Sequence, residues 1–168
     1  MILKSKLLIS GLFLLSWLAS CGVYSFTGAA IEGRTINVHF VENNARTIVP
    51  SLSSTFTEKL RQRILSQSSL SQVNSEKTDY DLSGSITGYD VTVASVTGKE
   101  TSLLNRLTVT VSIDFKNKLN EKGNFVQTFS RFADFSSAQN LQNVEVKLIS
   151  DISDQLADDI FNKTFVNW

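Results

Sequence analysis

Few residues in this chain have a type and spacing that could do chemistry. The single histidine, His39, sits on the polar side of an alternating run, with no serine or cysteine motif beside it. It lacks the neighbours that nucleophilic catalysis requires and reads as a structural or solvent-exposed residue. Asp79 and Asp81 flank Tyr80. That spacing puts both carboxylates on one side of a strand end, where solvation explains them as simply as acid–base work. Asp151, Asp154, Asp158 and Asp159 spread around a helical stretch and read as its wet face, with a partner surface as the alternative. There is no GxSxG, HExxH, P-loop or dinucleotide glycine pattern. With one cysteine, neither an internal disulfide nor a CxxC zinc site can form. No residue is assigned as catalytic or metal-binding, no cofactor is expected, and the chain does not read as an enzyme.

Two sets of residues carry more. Lys99 and Arg106 bracket a hairpin turn, and Arg131 follows on the next strand. Guanidinium and ammonium groups there could grip a lipid phosphate through charge-assisted hydrogen bonds, the alternative being a solvated loop. The second is Cys21. It follows Leu18-Ala19-Ser20, which ends an apolar run from Leu7 to Leu18 behind Lys4 and Lys6. A positive start, a run too short to span a bilayer and small residues at its end make a cleavable export signal. An aliphatic residue, two small ones and a cysteine resemble a lipobox, so the Cys21 thiol is the expected site of thioether lipidation. Several acyl chains would anchor the mature protein stably, at about 0.8 kcal/mol per buried CH₂. Gly22, rather than aspartate, follows the cysteine and leans toward outer-membrane sorting.

These assignments divide the chain into a signal (1–20), a lipidated tether (21–33) and a single body (34–168). Removing the signal takes Lys4 and Lys6 from a balanced 16 basic and 16 acidic residues, leaving 14 against 16. A formal charge of −2 offers no field for nucleic acid, and 42% hydrophobic content suits a globular body.

The elements that must position these groups follow from periodicity. Residues 35–41 alternate, with Ile36, Val38 and Phe40 on one face, and predict a half-buried strand. Pro50 opens a helix whose stripe is Leu52, Phe56, Leu60 and Ile64, fading into a polar loop at residues 66–72. A strand from about Tyr80 to Val96 changes phase near Gly88, where a bulge is the economical explanation. Residues 97–105 read as a turn. Leu107, Val109, Val111, Ile113 and Phe115 mark the clearest strand. After a turn at 120–124, Phe125, Phe129, Ala133 and Phe135 mark its return. A final helix over about 141–161 buries Val144, Leu148, Ile152, Leu156 and Ile160. The expected fold is α+β: a two-layer sandwich of a roughly four-stranded, mostly antiparallel sheet with both helices on one face, in the order β-α-β-β-β-α.

Four segments together resemble a known family. Cys-Gly-Val-Tyr-Ser-Phe-Thr-Gly-Ala (21–29), Thr-Phe-Thr-Glu (55–58), Leu-Ser-Gly-Ser-Ile-Thr-Gly-Tyr (82–89) and Leu-Thr-Val-Thr-Val (107–111) look like LptE-type lipopolysaccharide-assembly lipoproteins, in the version found in Bacteroidota. The resemblance implies an outer-membrane lipoprotein that plugs a large LptD-type β-barrel, helps assemble it, and engages lipopolysaccharide on its way to the surface. It supplies no ligand motif that can be placed residue by residue, so Lys99, Arg106 and Arg131 rest on charge alone. A lipid-binding accessory lipoprotein of another envelope transporter is the alternative.

Overall fold

The architecture comes from a computed structural model that describes residues 31–94 and 103–166. Cys21, Lys99, the signal, most of the tether and most of the 97–105 turn lie outside the described residues. Strands β1 (Thr35–Val38), β2 (Glu42–Asn43), β3 (Ser71–Gln72), β4 (Tyr80–Ala94), β5 (Leu104–Asn117) and β6 (Phe125–Ser136) form one sheet in the order β3-β1-β4-β5-β6, with β2 also paired to β4. Strands β4, β5 and β6 form an antiparallel meander, while β1 pairs in parallel with both β3 and β4, and β2 in parallel with β4. Helices α1 (Pro50–Gln67) and α2 (Leu141–Phe161) pack against each other and against one side of this mixed sheet.

Helix positions follow their expected signals. Pro50 occupies the first turn of α1, where its missing N–H leaves no gap. Leu52, Phe56, Leu60 and Ile64 are all fully buried. The Asn140 side chain caps α2 by accepting from the Gln142 N–H at 3.0 Å. Ile152, Leu156 and Ile160 pack beneath it without exposure. Their sheet partners are the odd-numbered residues of β5, from Leu107 to Phe115, together with Leu82 and Ile86 of β4.

The phase change in β4 is a bulge. Ile86 pairs with Val111 and Gly88 with Thr110, so Thr87 is one residue too many for the partner strand. A second irregularity corrects the expectation for residues 35–41. The strand ends at Val38, Phe40 turns 54% exposed, and Val41 is buried instead. Four steps from Val38 to Glu42 run beside three from Leu82 to Ser85. The extra residue inverts the alternation. The break is held by the His39 N–H donating to the Leu82 carbonyl at 2.9 Å and the Val41 N–H donating to Thr57 Oγ1 at 3.0 Å. Residues 71–72, expected in a loop, add the short strand β3 to β1. The expected turn at 97–105 also ends early, since Leu104 and Asn105 already pair with β4 and β6.

Candidate functional site

Pairing places alternate residues on opposite faces, so the register assigns every side chain of the meander. One face is covered by the helices. The other carries Ser83 and Ser85 from β4, Thr108, Thr110 and Ser112 from β5, and Thr128 and Ser130 from β6. All seven are partly or fully exposed, and no described element packs over them. Thr110 Oγ1 and Ser130 Oγ lie 3.1 Å apart across the strands. The result is a flat array of short hydroxyls, each able to donate or accept, without a charge at its centre.

Charge sits at the rim of this face. Arg106 makes two hydrogen bonds to Asp134, at 2.7 and 2.9 Å, and its guanidinium carbon lies 3.6 Å from the centre of the Phe132 ring. That pair raises the Arg106 pKa and lowers that of Asp134, through the hydrogen bonds themselves. Arg131 is on the opposite, helix-bearing side, because it pairs with Val109. Its guanidinium bonds both carboxylate oxygens of Asp159, at 2.5 and 2.6 Å, and is likewise raised in pKa by those bonds. The sequence therefore offered Arg106 and Arg131 as one group, and the structure puts them on different faces with separate acidic partners. Two of the four aspartates of α2 also bridge to α1: Lys59 to Asp154 at 2.8 Å and Arg63 to Asp158. Tyr89, reaching from β4 beneath α2, donates to Glu145 at 2.6 Å; burial, then that bond, push its phenol above the ordinary range.

His39 lies 3.1 Å from Asp81 Oδ2 and 3.0 Å from the Asn37 amide, a cluster that ties β1 to β4. Asp79 accepts from the Arg34 and Thr35 N–H groups at 2.8 and 2.9 Å and from Thr35 Oγ1 at 3.0 Å. Those bonds hold its carboxyl below the usual range. The two aspartates around Tyr80 thus fasten the start of the body. Among the described residues, no three His, Cys, Asp or Glu side chains converge as a metal site would require.

A cationic pocket is not visible in the sequence. Lys122 and Asn124 of the β5–β6 turn and Lys163 beyond α2 line a depression of about 320 Å³ with Asn120, Gly123, Phe125 and Thr164. The lysines are 41 positions apart in the sequence, and only the closing of α2 onto the start of β6 brings them together. The one hint in the sequence was the pair of asparagines in the turn.

Comparisons with other proteins agree with the fold. No curated protein matches the sequence. The protein CT253 of Chlamydia trachomatis aligns over 80% of this chain and 98% of its own, with a TM-score of 0.53 at 11% identity. A neuraminyllactose-binding hemagglutinin homolog from Helicobacter pylori aligns over 82% and 86%, also with a TM-score of 0.53, at 10% identity. Rare lipoprotein B from Shewanella oneidensis aligns over 77% and 92%, with a TM-score of 0.49 at 13% identity. At such identities the first two likenesses concern the fold alone. The LptE family model, described as lipopolysaccharide-assembly, matches residues 33–164. That span runs from the chain just before β1 to the turn after α2, and the chain belongs to the LptE lipopolysaccharide-assembly family.

Proposed function

We propose that this protein is a lipoprotein, anchored through Cys21 on the periplasmic side of the outer membrane, that acts as plug and assembly partner of an LptD-type β-barrel. The match of residues 33–164 to the LptE family carries this reading, since lipopolysaccharide assembly at the outer membrane is that family's general role. The distribution of polar groups supports it. A barrel lumen is wet and lined by polar side chains. A guest there needs its own core, a hydrogen-bonding exterior and few uncompensated charges. The uncovered sheet face supplies the hydrogen-bonding surface, while Lys59, Arg63, Arg106 and Arg131 are each paired with an aspartate within the molecule. The action is binding and positioning, with no bond made or broken. Of the three cations offered for lipopolysaccharide contact, Arg106 stands at the rim of the uncovered face, where a lipid phosphate would exchange with Asp134.

The test is purification of the tagged full chain from outer membranes in mild detergent. The expected result is a large, heat-modifiable β-barrel in the eluate, and less lipopolysaccharide at the cell surface after depletion. Recovery with an inner-membrane transporter instead, or unchanged surface lipopolysaccharide after complete loss, would overturn it.

A further inference from the structure

The pocket of Lys122 and Lys163 opens at the end of the body from which the tether leaves. The Gly33 N–H donates to the Tyr80 hydroxyl at 3.0 Å. The Tyr80 ring lies 5.6 Å from that of Phe165, next in sequence to the pocket residue Thr164. Tyr80 also stacks on Phe115 at 5.8 Å, and Phe115 packs on the pocket residue Phe125 at 5.5 Å. One aromatic cluster therefore joins the start of the body to the floor of the pocket. Residues 21–33 are only twelve steps long, so they reach about 40 Å when fully extended. A lipid anchor on Cys21 would hold this end of the body, rather than the far ends of β4 and β5, nearest the membrane.

Charge at that end is arranged for an anion. Neither lysine has a carboxylate within 4.0 Å among the described residues, whereas Arg106, Arg131, Lys59 and Arg63 all do. Lys163 instead lies 5.5 Å over the Phe125 ring. The remaining polar lining includes Asn120 and Asn124, whose side-chain oxygens accept from the Lys122 and Asn117 N–H groups and whose amide NH₂ groups are left to donate, while Thr164 donates its hydroxyl to the Ile160 carbonyl and Glu121 of the same turn is not among the lining residues. Two ammonium groups beside neutral donors suit a phosphate ester. A depression of about 320 Å³ has room for a headgroup, and the acyl chains would remain in the bilayer.

We infer that Lys122 and Lys163 bind the phosphate of an anionic phospholipid in the membrane that holds the tether, and so set the tilt of the body on that membrane. The inference rests on the lipid-anchor reading above. Its test uses the full-length protein extracted in dodecyl maltoside, with native mass spectrometry after adding dioleoyl-phosphatidylglycerol or dioleoyl-phosphatidylcholine. The phosphatidylglycerol adduct is expected to exceed the phosphatidylcholine adduct by about 10-fold. Lys122→Gln with Lys163→Gln is expected to bring it down to the phosphatidylcholine level. Both lysines are exposed, so the double variant keeps its core, and Lys147→Gln on the outer side of α2 is expected to leave the adduct unchanged. Equal adducts of the two lipids, or a phosphatidylglycerol adduct unaffected by the double variant, would overturn the inference. Displacement of the lipid by equimolar inorganic phosphate would reassign the pocket to free anions and overturn the lipid assignment. The same spectra report the acyl mass on Cys21, so failure of the anchor and failure of the pocket are read separately.

Discussion

The two faces of the β4–β5–β6 meander are built from the same strands and serve opposite ends. Along β5, Leu107, Val109, Val111 and Ile113 are sealed beneath two helices, while Thr108, Thr110 and Ser112 between them face outward on a surface that no described element covers. Apolar burial is what holds the fold, at roughly 25 cal/mol per Å² removed from water. Hydroxyls on the other face add little to stability, because water serves them equally well in the unfolded chain. A face that contributes little to folding is free to be shaped by what it binds. The β4–β5 hairpin shows where the division stops: Val91 and Val93 lie on the helix-side face by register, yet are 45% and 72% exposed.

The largest expected effect breaks the covered face. Ile113→Ala or Leu156→Ala, each at a fully buried site, should cost about 2–5 kcal/mol in urea denaturation, whereas Thr110→Ala should cost less than about 1 kcal/mol. Comparable losses would erase the distinction between the faces. A smaller effect comes from Gly84, which lies where β4 and β5 approach closely. A Cβ there would meet the Ser112 carbonyl oxygen at 2.4 Å and Ile113 Cδ1 at 2.9 Å. Gly84→Ala should therefore cost about 1–3 kcal/mol by the same measurement. The smallest sharpens the role of the strand end. Asp79 has a lowered pKa in the folded state, so its contribution is present above its ordinary value of 3.8 and is lost as pH falls below it. The urea midpoint should fall between pH 6 and pH 3, and fall less in Asp79→Asn. An identical pH dependence in the two proteins would show that the bonds from Arg34 and Thr35 do not favour the carboxylate.

Much of this division is legible in the amino-acid sequence. The four-residue spacing of Leu52, Phe56, Leu60 and Ile64 and the two-residue spacing of Leu107 to Phe115 each report a single buried face, because burial and helical or pleated geometry share those periods. The slip near Gly88 is visible for the same reason. The inversion at His39–Val41 is not, since Phe40 continues the alternation in sequence while Thr57, on a different element, decides that Val41 goes inside. Strand β3 is two polar residues whose pairing depends wholly on β1. At the candidate sites the limits are sharper. Charge alone groups Arg106 with Arg131, but the carboxylates that hold them come from β6 and α2. Nothing local joins Lys122 to Lys163. The hydroxyls of the uncovered face are present as the polar half of each strand, and only cross-strand register turns them into one surface.

Whether the uncovered face of the proposed plug lies against a barrel is tested most directly by photo-cross-linking in living cells. A benzophenone amino acid placed at Thr110, Ser112 or Thr128 would be compared with one at Gln62 or Gln155 on the helices. A high-mass adduct with an outer-membrane barrel is expected from the three sheet positions, and little or none from the helical pair. Adducts from the helices alone, or equally from both sets, would contradict it.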